Sequence, residues 1–105
     1  MSDFDILAKT IPFGRENAIS RLKLAERMQL SDRSMREAIS NARRDGLIII
    51  NDQTPAGGYY QTNDVTDMKR QLRQIHNRAM SLLAQEKHLR HRIKAIEENE
   101  QSKED

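Results

Sequence analysis

From Val65 to Ile96, the positions Val65, Met68, Leu72, Ile75, Ala79, Leu82, Glu86, Leu89, Ile93 and Ile96 step by three and four without a slip. All but Glu86 are apolar, and no Pro or Gly interrupts the run. This is a heptad seam, and it admits one long helix and little else. At about 1.5 Å per residue the helix approaches ~50 Å, too long to be covered by the short stretch of chain before it. It needs a partner, and a second copy of the chain is the simplest one. Residues 63–97 are therefore assigned to oligomerisation, as a homodimer or a higher assembly.

Glu86 stands at an a position. It is either a solvated defect or a device that fixes register and orientation. In a parallel pair two Glu86 side chains would face each other at a cost, while Arg92 at g and Glu97 at the following e would attract. In an antiparallel pair Glu86 would meet a d residue and reach His88 or Arg90. Both orientations stay open, with antiparallel or bundle-like packing slightly favoured on that ground; Leu83, beside the seam, widens the apolar face and also hints at more than a strict two-stranded coil. Asp64 or Thr66 can cap the helix start, and residues 98–105, ENEQSKED, read as a disordered polar tail.

A chain of 105 residues makes one small domain with such an appendage, and its core can only be modest. With no cysteine, disulfides and thiolate metal sites are excluded and a reducing compartment is expected. No run approaches the roughly 18 apolar residues that span a bilayer, and the start, MSDFDILAK, has neither a basic n-region nor an apolar h-region. The expectation is a soluble cytoplasmic protein with no membrane contact. The net charge of +2 is unevenly spread: residues 1–62 are nearly balanced, residues 63–97 carry +4 and residues 98–105 carry −3. Such a balance permits nucleic-acid binding without demanding it.

The first sixty residues divide by their punctuation. Ser2 to Lys9 reads as an opening helix with Ser2 as cap and Phe4, Ile6 and Leu7 as anchors, ended by Ile11-Pro12-Phe13-Gly14. Residues 15–19 read as a short extended segment. Ser20 caps a helix with Leu24, Ala25 and Met28 inward and Leu22 at the edge. Gln29 to Ser31 is a turn without the Gly often found there, and Ser31 caps a second helix running to about Asp45, with Gly46 at its C′ position. Leu47-Ile48-Ile49-Ile50 suits a strand, the loop from Asn51 to Gly58 is dense in turn formers, and Tyr59-Tyr60-Gln61-Thr62 supplies a second strand. The fold class is thus mainly α with a small β-hairpin.

In the helix after Ser31, Met35, Ala38, Ile39 and Ala42 form one apolar stripe. At about 100° per residue, Arg33, Glu37, Ser40 and Arg44 cluster opposite it, with Arg36 and Arg43 on one flank and Asn41 on the other. A helix that enters a DNA groove needs this arrangement: Arg for guanine edges and phosphates, Ser and Asn for neutral hydrogen bonds, and cationic flanks. Taken alone, it reads more readily as an ordinary amphipathic helix with a solvated Arg/Glu face.

The order helix, strand, helix, helix, strand, loop, strand over residues 4–62, carried by ISRLKLAERMQLSDRSMREAISNARRDGLIIIND and GGYYQT, resembles the winged helix-turn-helix family of DNA-binding domains. RENAISRLKLAERMQLSDRSMREAI with RRDGLIII is similar to small prophage-borne winged-helix proteins of Gram-positive bacteria. The resemblance implies that residues 1–62 bind double-stranded DNA, with the second helix in the major groove and the wing tip on the backbone or minor groove. Groove contact then falls on Arg33, Ser34, Arg36, Glu37, Ser40 and Arg44, flanked by Asn41 and Arg43. The wing falls on Asn51 to Gly58, which carries Asp52 and no Lys or Arg, leaving the N–H groups of Gly57 and Gly58 to meet a phosphate. The function implied is sequence-specific regulation of transcription by a dimer in the bacterial cytoplasm or nucleoid.

Two other readings stand beside it. One is a protein–protein adaptor, as in a replication-assembly or antirepressor factor, suggested by Glu37 among the arginines and the acidic wing. The other lets the long helix touch phosphates through Lys69, Arg70, Arg73 and Arg78. Catalysis is not expected, because no phosphate-cradling Gly loop, nucleophile elbow or carboxylate pair is present. His88 and His91 have metal spacing but no Cys and no placed carboxylate, so neither a metal nor another cofactor is expected. Tyr59 and Tyr60 are hairpin residues, one facing the core, rather than base-stacking platforms. No small-molecule site is evident.

Overall fold

Ser2, Ser20 and Ser31 each adopt an extended conformation, and each hydroxyl accepts the N–H three residues on: Asp5 at 3.3 Å, Lys23 at 3.2 Å and Ser34 at 3.1 Å. These bonds satisfy N–H groups that a first helical turn leaves unpaired. They start α1 (Asp3–Thr10), α2 (Arg21–Met28) and α3 (Asp32–Arg44). The computed structural model describes residues 2–52, 54 and 57–104, apart from the side chains of 102–104. It is mainly helical, with a two-stranded antiparallel sheet, β1 (Ile50–Asn51) and β2 (Tyr59–Tyr60), and a long C-terminal helix, α4 (Val65–Glu104). The chain divides into two compact units, residues 1–71 and 72–105.

In the first unit α1 and α2 both pack on α3. The core joins Leu7 and Ile11, Leu24 and Ala25, and Met35, Ala38, Ile39 and Ala42 of α3, with Ile19, Ile49 and Tyr59 closing it. Leu22 at the rim of α2 is 74% exposed. The turn from α2 to α3 uses Gln29 in the left-handed conformation, φ 55° and ψ 42°, so that the Leu30 N–H reaches the Ala25 carbonyl at 3.0 Å. A side chain at that φ costs about 1 kcal/mol, which glycine would avoid. At the far end of α3, Gly46 occupies C′ with φ 105°, where a left-handed conformation is free of that cost.

β2 is the inner strand. It pairs with β1 in the register Ile50 with Tyr60 and Asn51 with Tyr59. On its other edge Ile19 and Tyr59 exchange N–H···O bonds of 2.9 and 2.8 Å. Gln61 continues the edge, accepting from the Gly14 N–H at 2.9 Å and donating to the Pro12 carbonyl at 2.8 Å. Its side-chain amide is buried and donates to the carbonyls of Ala8 at 3.0 Å and Ile11 at 2.7 Å, satisfying the C-terminal end of α1.

Four expectations need correction. Residues 15–19 are not extended throughout: Arg15–Asn17 is a 3₁₀ turn, held where the Asn17 amide donates to the Phe13 carbonyl at 3.0 Å, and only Ile19 pairs. The strand expected over 47–50 begins only at Ile50, because the Ile49 carbonyl is occupied by side chains: Arg43 Nε and Nη2 donate to it at 3.2 and 2.9 Å, and Gln71 Nε2 at 3.4 Å. Both tyrosines are buried, not one. The tail expected to be disordered from residue 98 stays helical to Glu104, since Glu, Gln and Lys favour helix and no Gly or Pro stops it; Asp105 lies outside the described residues.

Asp64 is the cap of α4, its Oδ1 accepting the Thr66 N–H at 2.8 Å. The Asp64 N–H is in turn held by the Thr62 hydroxyl at 2.9 Å. In the second unit every side chain described is exposed. Among the described residues, no helix is long and apolar enough to cross a membrane.

Candidate nucleic-acid interface

Three consecutive constraints orient α3. The Ser31 cap fixes its start, the stripe Met35, Ala38, Ile39 and Ala42 is almost fully buried against α1 and α2, and Gly46 ends it. The remaining arc therefore faces out. Arg33, Ser34, Arg36, Glu37, Ser40, Asn41 and Arg44 are all exposed on it.

The charges on this arc are not all free. Arg33 lies 3.4 Å from Glu37, and Arg36 lies 3.2 Å from Asp32 Oδ2. Asp32 also faces Arg21 Nε, the first residue of α2, at 2.9 Å, as an ion pair rather than an aligned hydrogen bond. Asp32 thus ties the start of α2 to the first turn of α3. These pairs are well exposed, so each contributes well under about 1 kcal/mol and an incoming phosphate can displace them. The Ser34 hydroxyl accepts from that of Ser31 at 3.1 Å. Ser40, Asn41 and Arg44 have no side-chain partner among the described residues.

Arg43 differs from its neighbours. Its guanidinium turns back to the Ile49 carbonyl, so it braces the chain between α3 and β1 instead of facing out. Sequence pattern placed it on the flank of the polar face. The missing signal was tertiary, because nothing local marks Ile49 as the carbonyl it would reach.

In the expected wing, Gln53, Pro55 and Ala56 lie outside the described residues. The Gly57 N–H donates to the Thr54 carbonyl at 2.9 Å and is not free for a phosphate. Gly58 is buried, and a Cβ there would collide with the Ile19 carbonyl, so this glycine permits the close approach of two backbones. Asp52 accepts the Thr54 N–H at 3.2 Å and pairs with Arg15 at 3.1 Å. The Thr54 bond and the Arg15 guanidinium hold its carboxyl below the usual carboxylate range despite the opposing effect of burial. The one acid of the wing is thus balanced by Arg15, a residue that nothing in the local pattern singles out.

Beneath the hairpin, the Tyr60 hydroxyl is buried without an aligned hydrogen-bond partner among the described residues. Burial, and then the negative charge of Asp67, raise its pKa. On α4 the seam is uncovered: Val65, Leu72, Ile75, Leu82, Leu89, Ile93 and Ile96 are exposed, as are Ala79 and Glu86, while Met68 is half-buried. Glu86 forms an ion pair with Arg90 one turn on. Lys69, Arg70, Arg73 and Arg78 are exposed, with Arg70 3.6 Å from Asp67. No group of three or more His, Cys, Asp or Glu among the described residues could hold a metal ion. Comparison with protein-family models, with curated proteins and with solved structures finds no match to this chain.

Proposed function

We propose that the chain is a sequence-specific double-stranded DNA-binding protein, a winged helix-turn-helix domain carried on a pairing helix, and that it acts as a dimeric transcriptional regulator of the phage or prophage type. The observation that carries the reading is the division of α3: its apolar stripe is buried to within a few per cent, and the opposite arc presents Arg, Ser and Asn side chains to solvent. A major-groove helix requires that division, with bidentate Arg for guanine and neutral donors for other base edges. The β1–β2 hairpin that follows supplies the wing, and the Arg15–Asp52 pair leaves its base without net charge.

The uncovered seam of α4 supports assembly with a second copy. Two copies carry two α3 helices, so a palindromic or repeated site is expected, with half-sites about one turn of duplex, ~34 Å, or a multiple apart. In this reading the protein is not an enzyme, uses no cofactor or small ligand and works in the bacterial cytoplasm or nucleoid. An adaptor function is the second reading, supported by the acid partners of Arg33 and Arg36 on the same face.

Anisotropy titration of a labelled random duplex at about 50 mM salt tests the two readings. DNA binding predicts an affinity whose logarithm falls linearly with log salt, with a slope set by several phosphate contacts. Absence of binding at that salt overturns the proposal in favour of the adaptor. Selection from a random duplex pool then yields the site and its symmetry.

A further inference from the structure

We infer that α4 pairs with a second copy of this chain in parallel and in register, which deepens the proposed function and rests on its dimeric form. Sequence favours antiparallel packing because Glu86 would then meet a d residue and could reach a neighbouring Arg90 or His88. The structure removes that advantage. Glu86 already holds Arg90 of its own helix, one turn on, so it enters the seam with its charge balanced in cis. Two such pairs facing each other at one a layer are far less repulsive than two bare carboxylates, and a polar a layer is also what restricts a coil to two strands in one register.

The flanking charges then decide between orientations. With Val65, Leu72, Ala79, Glu86 and Ile93 at a, the exposed flanks hold Lys69 and Arg90 at e and Arg92 at g, with Glu97 at the last e. In a parallel pair each g residue meets the e residue five positions later on the partner. Arg92 then meets the partner's Glu97 twice over, the aliphatic stem of Arg78 covers the partner's Leu83, and no like charges are opposed. In an antiparallel pair that aligns the same seam, e faces e, and Lys69 meets the partner's Arg90, whose charge Glu86 already balances, so the flanks add no attraction. Two Arg92–Glu97 attractions in the parallel pair therefore stand against none in the antiparallel one. Leu83, which sequence took as a sign of bundle-like packing, is accommodated in the parallel pair beneath Arg78.

The chain has no cysteine, so a single introduced thiol reports geometry without background. Ile96→Cys lies at d in the last layer of the seam. In a parallel pair the two thiols lie side by side across the seam. In the antiparallel pair they are separated by about 45 Å at 1.5 Å per residue, and each lies level with Val65 of the partner. The full chain carrying Ile96→Cys is equilibrated in a glutathione redox buffer, alone and mixed with Val65→Cys, while sedimentation gives its mass. The expected result is a dimer in which more than about nine-tenths of Ile96→Cys is cross-linked to itself, with the 65–96 heterodimer at least tenfold rarer. A dimer linked chiefly between 65 and 96 overturns the parallel pairing and leaves the dimeric reading intact. A monomer by sedimentation overturns both.

Discussion

Arg43 and Arg44 are adjacent, identical in chemistry and opposite in what they do. Arg43 donates two N–H groups to the Ile49 carbonyl from a half-buried position, whereas Arg44 is exposed and unpartnered. Hydrogen bonds from a charged donor contribute roughly 1.5–3 kcal/mol. Here the carbonyl keeps a longer bond from Gln71, at 3.4 Å, so the loss in Arg43→Ala falls toward the low end, about 1–2 kcal/mol. For a unit of this size that lowers the melting temperature by about 5–10 °C. Arg44→Ala should leave melting within about 0.5 kcal/mol of the parent, since it removes no contact within the fold. In duplex binding the order reverses. Arg44→Ala should weaken the selected site by about 1–3 kcal/mol, roughly 5- to 150-fold, and Arg43→Ala, assayed well below its melting temperature, by less than about twofold. Circular dichroism melts at one fixed protein concentration and anisotropy at one fixed salt concentration make the two measurements comparable. If Arg43→Ala melts like the parent and binds as poorly as Arg44→Ala, Arg43 belongs to the interface and its brace to Ile49 has no energetic weight.

Tyr60→Phe removes a buried hydroxyl that has no aligned bond yet lies against the Asp67 carboxylate, and should change stability by less than about 1 kcal/mol; a larger loss in a urea titration would mean the hydroxyl is bonded to Asp67. Asp32→Asn releases Arg21 and Arg36 and removes one negative charge from the face of α3, so duplex affinity should rise at low salt, and unchanged affinity would exclude Arg36 from phosphate contact. Asp52 has a folded pKa below its ordinary 3.8, so its contribution to the hairpin is complete above that pH and lost as pH falls through the lower folded value. The Thr54 amide shift should therefore hold steady from pH 7 to 5 and move only in stronger acid; a change near pH 5 would contradict the Thr54 bond. A fragment ending at Gln71 should fold and sediment as a monomer, whereas one ending at Asn63 should be less stable, because it loses the Gln71 bond to Ile49.

Much of the first unit was legible because its signals are local. Serine caps, an apolar stripe with helical spacing and Gly46 after Asp45 each act within a turn or two of chain, and α1, α2 and α3 begin and end within about a residue of where those signals put them. What escaped was set by distant partners. The β-branched run 47–50 has strand propensity throughout, yet pairing needs a free carbonyl, and that of Ile49 is taken. Residues 15–17 coil into a 3₁₀ turn because only Ile19 meets an open edge of β2. Gln61, an unremarkable strand residue by pattern, is the buried amide that closes the end of α1. On the candidate interface, spacing placed seven of the α3 side chains outward, as observed, and misjudged Arg43, whose partner lies beyond the helix. The expected boundary at residue 62 followed the end of the hairpin pattern, whereas packing carries the first unit to Gln71, through Asp67 near Tyr60 and Gln71 on Ile49.

The position of β2 also sets an order of events in time. Residues 59–61 are gripped by Pro12–Gly14, by Ile19 and by Ile50–Asn51, so most of the long-range pairings wait on the last-made part of the hairpin. Helices α1 to α3 form through local contacts within microseconds, but the sheet that locks them cannot close until Gln61 has left the ribosome. The apolar seam of α4 leaves the ribosome after that. Each copy therefore completes its own N-terminal unit before it exposes the surface that seeks a second copy, and assembly is postponed until there is a folded unit to assemble.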